Sequence, residues 1–570
     1  MEDVNAPSVA RIVITGPTGV GKTTVGAALA RALGWSFVDL DDAIIRATGK
    51  SVAAIFAEEG EKGWRARETA ALRLALRAER AVIATGAGIV ERPENRALAA
   101  EALAWVVALD APPETALGRV QAQADALGVP IGELRPMLAR DDALARLRAL
   151  YERRAPFYAL ADDVIQADSV TPKQLAARAL AGLIVAGRLP PDGAKTQICH
   201  VAAGAGYDAI AGWGALASLS DQLAALRLPP RLSIVTDSTV GALYAEPLTR
   251  RLRQAGFDPA TFIIPAGEVS KSRASLDAIH DWLAERRAER GEALVALGGG
   301  VVGDLAGFAA ATWLRGVPLI QLPTSLLAQV DASIGGKVAI DHARGKNLIG
   351  AFYQPRLVIA DAATLLTLPE RQRIEGWAEV IKHGAALDAD YYTAIERDAE
   401  ALLAVRPAET TAAIARSVAI KAAITGGDER EREDGQRTLL NFGHTLAHAI
   451  ETVTGYSAWL HGEAVSAGMV FAARLGARLG ATPSNVSERL EALLTRFGLP
   501  TRLDGLSAPA LLRATLWDKK ARGGQVRWIL LTALGSAALF GPAPEDALLA
   551  TLTELGASDA PDQPLPMGHR

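Results

Sequence analysis

The strongest constraint on this chain lies near its start. Gly16-Pro-Thr-Gly-Val-Gly21-Lys22-Thr23 follows the β-branched run Arg11–Thr15 (RIVIT) and opens a helical stretch, Thr23–Leu33, that ends at Gly34. The spacing G-x-x-x-x-G-K-[ST] between a strand and a helix is that of a phosphate-binding loop. Its glycines let successive backbone N–H groups turn inward around phosphate oxygens, and the helix N-terminus adds partial positive charge. Lys22 is expected to reach the β- and γ-phosphates and Thr23 to hold Mg²⁺. Further strand signals at Ser36–Leu40, Ala81–Thr85 and Ala104–Leu109 alternate with Ala/Arg/Glu-rich helical segments, which predicts a parallel sheet with helices on both faces. The loop by itself specifies a nucleotide and says nothing of a second substrate.

The chain is much longer than this one unit. At roughly 100–200 residues per domain, its 570 residues suggest two to four domains. Gly187–Lys195 (GRLPPDGAK) reads as a linker. A second α/β pattern begins beyond it, with strand signals at Arg231–Thr236, Thr261–Pro265, Ala293–Leu297 and Leu319–Leu322. After about Thr364 these signals fade into long Ala/Leu/Arg helices, so a mostly helical lobe is expected, and Ala557–Arg570 is expected to be a disordered tail. With 60 basic and 64 acidic side chains the net charge is −4, which gives no electrostatic basis for gripping nucleic acid or an anionic membrane. Cys199 is the single cysteine, so neither an intramolecular disulfide nor a Cys-rich zinc site is available. The stretch MEDVNAPSVA has no signal-peptide core, and the most membrane-like segment, Ala293–Leu314, carries Asp304 and five glycines. A cytoplasmic protein is expected.

Around the phosphate loop, other residues narrow the chemistry. Asp39-Leu-Asp41 follows the second strand, where side chains reach the carboxyl edge of a parallel sheet. Arg65 and Glu68 lie one helical turn apart, Thr85-Gly86-Ala87-Gly88 ends another strand, Arg135 precedes a proline, and Arg154 opens Arg-Ala-Pro-Phe-Tyr158. Any one of these arginines alone reads as a solvated surface charge. Together with the loop, they make residues 9–186 resemble shikimate kinase. The resemblance implies that Gly19, Gly21, Lys22, Thr23, Thr24 and Arg135 contact ATP, Arg135 from a lid. It implies Mg²⁺ held by Thr23 with Asp39. Asp41 would bind the substrate diol and act as base, Arg65 and Arg154 would pair with the substrate carboxylate, and Gly86, Ala87 and Gly88 would line the shikimate side. One departure stands out: the family has three successive glycines where this chain has Gly86-Ala87-Gly88.

The second half carries another glycine turn. Gly298-Gly-Gly300-Val-Val-Gly303-Asp304 follows a strand and fits G-x-G-x-x-G, though without the usual acidic residue about 20 positions downstream. Asp237 ends the strand Arg231–Thr236, and Glu268 and Lys271 follow Pro265-Ala-Gly267. A dinucleotide site is therefore plausible, against a glycine turn packed on a helix. Three of the eight histidines fall within Asn441–Glu463. His444 and His448 share a helix face if the segment is helical, and His461 lies 17 residues beyond His444. Catalytic zinc often takes two histidines and a carboxylate and keeps one position open. Glu379, in Trp377-Ala-Glu-Val-Ile-Lys382, suits the carboxylate, but spacing does not decide which two histidines serve. Lys337, Lys346, Lys382, Lys421, Arg437 and Lys519-Lys520 would suit a phosphate- and carboxylate-bearing substrate.

The motifs Pro265-Ala-Gly-Glu268, Gly298–Asp304, Leu322–Lys337, Ala378–His383, Asn441-Phe-Gly-His-Thr445 and His461-Gly-Glu-Ala-Val465 occur in order over residues 198–555 and resemble 3-dehydroquinate synthase. The resemblance implies zinc (or cobalt) on Glu379, His444 and His461, with His448 either behind a metal ligand or beside the substrate phosphate. It implies NAD against Asp237, Glu268, Lys271, Gly299, Gly300, Asp304, Thr324, Ser325 and Lys346. It implies a heptulosonate phosphate against Asp331, Lys337, Asn347, Lys382, Lys421, Arg437, Asn441 and Lys519. Lys337, Lys382, Arg437, Asn441 and His448 would be catalytic. Arg315 would come from the neighbouring subunit, which implies a homodimer. The implied reaction oxidises C5, expels phosphate, returns the hydride, opens the ring and closes it by an aldol step to 3-dehydroquinate.

The expected architecture is thus α/β: a P-loop kinase domain at 1–186, a linker at 187–197, a Rossmann-like NAD lobe at 198–363, a mostly α-helical metal-binding lobe at 364–556, and a tail. Two rivals remain. Another sugar-phosphate cyclase on the same scaffold would share NAD and zinc. A nucleotide-binding regulatory module would explain the N-terminal half only if Lys22, Asp41, Arg65 and Arg154 were idle.

Overall fold

The computed structural model describes residues 8–135, 138, 142–168, 170–343, 345–432, 435–456, 458–516 and 526–559. The chain divides into two units, the first comprising residues up to Pro190 together with Ala242–Pro247, the second the rest from Pro191 onward.

The first unit is built on five parallel strands: β1 (Arg11–Thr15), β2 (Ser36–Asp39), β3 (Ala81–Ala84), β4 (Trp105–Asp110) and β5 (Asp163–Gln166), in the order β2-β3-β1-β4-β5. In the centre, Val13 lies opposite Ile83 on one side and Val106 on the other. Every residue of β3 is buried, which is why the central strands read as unbroken apolar runs rather than alternating ones. The phosphate loop joins the end of β1 to the helix Lys22–Leu33, which stops at Gly34 in the left-handed region. β4 is displaced by one residue from the sequence expectation, and β5 (DVIQ), too short and polar to stand out, was not anticipated.

The second unit holds a seven-stranded sheet of β6 (Gln197–Val201), β7 (Tyr207–Gly212), β8 (Arg231–Asp237), β9 (Asp258–Ile264), β10 (Ala293–Gly298), β11 (Leu319–Pro323) and β14 (Leu357–Asp361), ordered β6-β7-β14-β11-β10-β8-β9. All neighbours are parallel except the edge pair β6–β7. A hairpin of β12 (Lys337–His342) and β13 (Gly345–Phe352) packs on the helix Gly300–Thr312 at Gly307, where an added Cβ would lie 2.3 Å from the Val338 side chain. Among the described residues from Glu370 onward the elements are mostly helices, with one hairpin of β15 (Trp528–Ala533) and β16 (Ser536–Phe540). Trp377, Phe442, Phe471 and Phe497 anchor the core of this lobe.

Two boundaries need correction. Gly187 and Arg188 bond back to Ile184 and Leu183, and Val9 donates to Arg188, so the linker's first residues belong to the first unit, while Gln197 already begins β6. The expected tail is ordered at its start: Ala557 is buried, and Ser558 bridges to Ser507 and donates to Leu506. Its remainder, 560–570, lies outside the described residues. Among the described residues, no helix is long and apolar enough to cross a membrane.

Candidate active sites

In the first unit, the ends of β1, β2 and β3 converge on one cleft of about 600 Å³. It is lined by all the residues assigned from sequence to ATP, Mg²⁺ and shikimate: Gly19, Gly21, Lys22, Thr23, Thr24, Asp39, Asp41, Arg65, Gly86, Ala87, Gly88, Arg135 and Arg154. Gly16, Gly19 and Gly21 all have positive φ, the backbone that only glycine adopts cheaply and that wraps amides around an anion. Lys22 Nζ donates to the carbonyls of Gly16 at 3.0 Å and Pro17 at 2.8 Å. Asp39 caps the helix Leu40–Thr48 with one carboxylate oxygen, accepting from the amides of Asp41 and Asp42, and takes the Thr23 hydroxyl on the other at 2.7 Å.

Electrostatics separates the ionisable groups. Burial lowers the Lys22 ammonium to about 8, with Arg135 and Arg154 adding to the shift and Asp41 and Asp39 opposing it. Burial raises Asp41 to about 6, helped by the neighbouring charges of Glu68 and Asp39. Arg65 Nη1 donates to Glu68 Oε2 at 2.7 Å and its other arm reaches Glu61 at 3.0 Å. Arg154 is buried, ion-paired to Glu91 through Nε, with Nη2 making no hydrogen bond. A Cβ on Gly86 would sit 2.1 Å from Glu68 Oε1, and one on Gly88 would sit 2.3 Å from the Arg65 guanidinium. Ala87 therefore stands between two glycines against which the Glu68 carboxylate and the Arg65 guanidinium lie directly, and its carbonyl accepts the Tyr158 hydroxyl at 2.7 Å.

In the second unit, the carboxyl edge of the sheet gathers the residues assigned to NAD. Gly299 caps the helix Gly300–Thr312 after β10, and Thr324 donates its amide to Gly298 at 3.0 Å. A Cβ on Gly299 would lie 3.4 Å from Ser325 Oγ, so the turn leaves its backbone open to a ligand. Lys271 Nζ lies 2.5 Å from Asp304 Oδ2 and also bonds Asn347 Oδ1. Asn347, assigned to the sugar-phosphate side, thus touches the nucleotide set. Asp237 Oδ1 accepts from the amides of Thr239 and Val240, so part of its capacity is spent on a helix cap. Lys346 Nζ lies 3.6 Å from Glu268 Oε1.

The metal-type cluster is assembled by close helix packing. Gly443 has φ +82 and starts the helix His444–Val453; a Cβ on Gly468 would lie 2.0 Å from the Gly443 carbonyl. A Cβ on Gly462 would likewise lie 2.0 Å from the Glu375 carbonyl. These contacts bring His444, His461 and Glu379 together from three helices. Their ligand atoms lie within 4.8 Å of one another. Glu379 Oε1 is 3.6 Å from His444 Nε2 and 3.7 Å from His461 Nε2, fully buried and without a hydrogen bond. Two imidazoles with a carboxylate form a donor set that suits zinc or a similar divalent ion. His448 stacks edge-on against His444, ring centroids 5.7 Å apart, outside this triad.

Cations surround the cluster. Lys382 is ion-paired to Glu379 and Lys421 to Asp331, which sits on a π-helical turn, Ala328–Ala332. Arg437 Nη2 donates to the Gly335 carbonyl at 3.1 Å, Asn441 Nδ2 to Glu431 Oε1 at 2.9 Å, and Lys337 pairs with Glu431. The charge of Lys421 acts on Asp331 together with that of Lys382. Arg315 is exposed, and it follows Leu314, both with positive φ. Lys519 lies outside the described residues.

Comparison with known proteins agrees with this division. Models for the 3-dehydroquinate synthase N-terminal and C-terminal regions match residues 261–375 and 376–521, and the shikimate kinase model matches residues 18–183. A 3-dehydroquinate synthase from Nitrosomonas europaea is 49% identical over 323 residues, 57% of this chain and 87% of that relative. The chain belongs to the 3-dehydroquinate synthase family. It carries a shikimate kinase domain N-terminal to the synthase, and it is an enzyme of both kinds. The 2-epi-5-epi-valiolone synthase of Streptomyces hygroscopicus, solved with NAD⁺ and Zn²⁺ bound, superimposes with a TM-score of 0.57 at 25% identity, covering 61% of this chain and 96% of that one. A 2-deoxy-scyllo-inosose synthase, at 24% identity and a TM-score of 0.58 over 63% of this chain and 99% of that one, shares the fold.

Sequence reading of the synthase half missed four groups. Glu451 Oε1 lies 3.4 Å from His461 Nδ1 and 3.3 Å from Lys346 Nζ. It falls on the His444–His448 helix face, seven residues past His444, so helical spacing held the signal. Burial disfavours the His461 imidazolium, but Glu451, with Glu379 and Glu375, outweighs it and lifts the group to about 9. Glu375 accepts the Gly462 amide at 2.8 Å, one turn before Glu379. His383 is fully buried with neither ring nitrogen hydrogen-bonded, and burial lowers it to about 3. Glu431, facing Lys337 and Asn441, lies in a charge run that carries no positional signal. In the kinase half Glu68, one helical turn from Arg65 in the sequence, is its fully buried partner; the group that sequence reading missed is Glu91, the ion-pair partner of Arg154.

Proposed function

We propose that the kinase unit transfers the γ-phosphoryl group of ATP to the 3-hydroxyl of shikimate with Mg²⁺, and that the synthase unit converts 3-deoxy-D-arabino-heptulosonate 7-phosphate to 3-dehydroquinate and phosphate with NAD and zinc or cobalt. The observation that carries this reading is Glu379 Oε1, buried and without a hydrogen bond between His444 and His461, with Lys382 ion-paired to the same carboxylate.

In the kinase, the loop amides with Gly19, Gly21, Lys22, Thr24 and Arg135 would screen the triphosphate, and Thr23 with Asp39 would hold Mg²⁺. Arg65 and Arg154 present forked donors suited to a carboxylate. Asp41, raised toward neutrality, would accept the proton of the attacking hydroxyl. Phosphoryl transfer needs mainly positioning and charge stabilisation, and the cleft gathers the residues for both.

In the synthase, Glu379, His444 and His461 would hold the ion, and Asp237, Glu268, Lys271, Gly299, Gly300, Asp304, Thr324, Ser325 and Lys346 the dinucleotide. When bound, these groups supply a Lewis acid and a recyclable hydride acceptor. Lys337, Lys382, Lys421, Arg437, Asn441, Asn347, Asp331 and Lys519 would hold and orient the anionic substrate, with His448 toward the phosphate. Arg315 would enter from a second copy of the chain, a role favoured by its exposure on a loop whose two successive positive-φ residues fix its direction. The intervals 1–186, 198–363 and 364–556 would then be kinase, NAD lobe and metal lobe.

The 49% identity to a 3-dehydroquinate synthase, against 25% to a valiolone synthase, favours this substrate over that of another cyclase. The test is product analysis of the purified chain given shikimate with ATP, the heptulosonate phosphate with NAD⁺, and glucose 6-phosphate with NAD⁺ as the rival. Turnover of glucose 6-phosphate in place of the heptulosonate phosphate would refute the synthase assignment.

A further inference from the structure

Four charged side chains run in a line between the nucleotide edge and the metal cluster. Glu268 Oε1 lies 3.6 Å from Lys346 Nζ, which lies 3.3 Å from Glu451 Oε1. The same Glu451 oxygen lies 3.4 Å from His461 Nδ1, and the other nitrogen of that ring, Nε2, faces Glu379 at 3.7 Å. The line crosses between lobes: Glu268 follows β9, Lys346 is on β13, and Glu451 and His461 belong to two helices of the metal lobe. Glu451 is buried, its side chain 5% exposed, so this pairing is poorly screened by water.

We propose that Glu451 is a positioning residue that, through Lys346, couples occupancy of the dinucleotide site to affinity for the divalent ion. A histidine that gives Nε2 to a metal must carry its proton on Nδ1, and a carboxylate on Nδ1 fixes that tautomer and ring orientation. Glu451 meets this need with the single oxygen it also offers to Lys346. Lys346 in turn is shared between Glu451 and Glu268. A dinucleotide that engages Glu268, and that Lys346 itself faces, withdraws the Glu268 carboxylate from the Lys346 ammonium. Lys346 then settles on Glu451, holding its oxygen where His461 Nδ1 needs it. The ordering that metal binding would otherwise require is already made, so each ligand favours the other, and by linkage the factor is the same in both directions.

This inference rests on the metal and NAD reading above and fails separately from it. The experiment measures zinc affinity of the full chain by competition with a chromophoric chelator, without and with saturating NAD⁺. Folding of each variant is checked by circular dichroism. In the parent protein NAD⁺ should tighten zinc by about fivefold or more. In Glu451→Gln and in Lys346→Met, both ligands should still bind, each more weakly, and the factor should collapse toward one. A merely structural role for Glu451 would weaken binding while leaving the factor unchanged. A factor of one in the parent, or a factor preserved in Glu451→Gln, overturns the coupling. Failure of zinc or NAD⁺ to bind the parent at all would instead remove the reading of the site, and the coupling with it.

Discussion

The hydroxyl of Thr23 donates to Asp39 Oδ2 at 2.7 Å, tying the first turn after the phosphate loop to the end of β2. The second oxygen of the same carboxylate caps the helix Leu40–Thr48. The two jobs separate in Asp39→Asn. Asparagine caps helices about as well as aspartate, so thermal stability should stay within about 1 kcal/mol, whereas loss of the charge beside Thr23 should lower phosphorylation by about ten- to a hundredfold. Activity titrated against Mg²⁺ alongside a melting curve checks this. A variant that melts early yet retains full Mg²⁺ response would show that the cap, not the ion, is what Asp39 serves.

Lys22→Ala should reduce shikimate phosphorylation by about a hundredfold or more while leaving cyclisation unchanged. Each candidate site is built wholly within its own unit, the Lys22 cleft in the first and the Glu379 cluster in the second. Both reactions are assayed on one preparation. Loss of cyclisation in a folded variant would show that the halves depend on each other.

The acid limb of the kinase should follow Asp41. Its carboxyl is raised to about 6 by burial and by Glu68 and Asp39. A protonated Asp41 accepts nothing from the substrate hydroxyl, so kcat/KM for shikimate should fall about tenfold per pH unit below that value and level off above it. Glu68→Gln removes a neighbouring negative charge, so the limb should move to lower pH. The same change takes away the buried carboxylate that holds one arm of Arg65, which should raise the KM for shikimate. A limb that stays in place in Glu68→Gln would mean that another group sets it.

The parallel sheets were legible because their strands are short apolar runs closed by glycine or by an acid at the carboxyl end, as at Thr15-Gly16, Leu297-Gly298 and Asp237. Residue pairings that depend on a neighbour were not. β12 and β13 look polar and glycine-broken, and become a hairpin because Gly307 lets Val338 approach the helix. β15 and β16 follow a long helical stretch whose composition hides them. The triad of Glu379, His444 and His461 came from motif resemblance. Spacing alone favoured no histidine pair, since His444 and His448 share a helix face and His461 arrives only through the Gly443–Gly468 crossing. His383 and Glu431 carry no local pattern, because burial and ion pairing are set by elements distant in sequence.

That crossing makes the ligand set open to a direct test. Glu379 Oε1 faces His444 Nε2 at 3.6 Å and His461 Nε2 at 3.7 Å, while His448 lies edge-on to the His444 ring. Three protein ligands leave one position for substrate oxygen, the arrangement of catalytic zinc. Chelation should therefore abolish cyclisation, and zinc or cobalt should restore it. His461→Ala leaves two ligands, too few to hold the ion against a chelator, and should purify without metal and resist rescue. His448→Ala keeps all three, so it should retain about one ion per chain and lose turnover instead. Metal content of the two variants, measured by elemental analysis after dialysis, separates them. Retention of the ion in His461→Ala with its loss in His448→Ala would move the site onto the helical histidine pair and leave the Glu379–His461 approach without a ligand role.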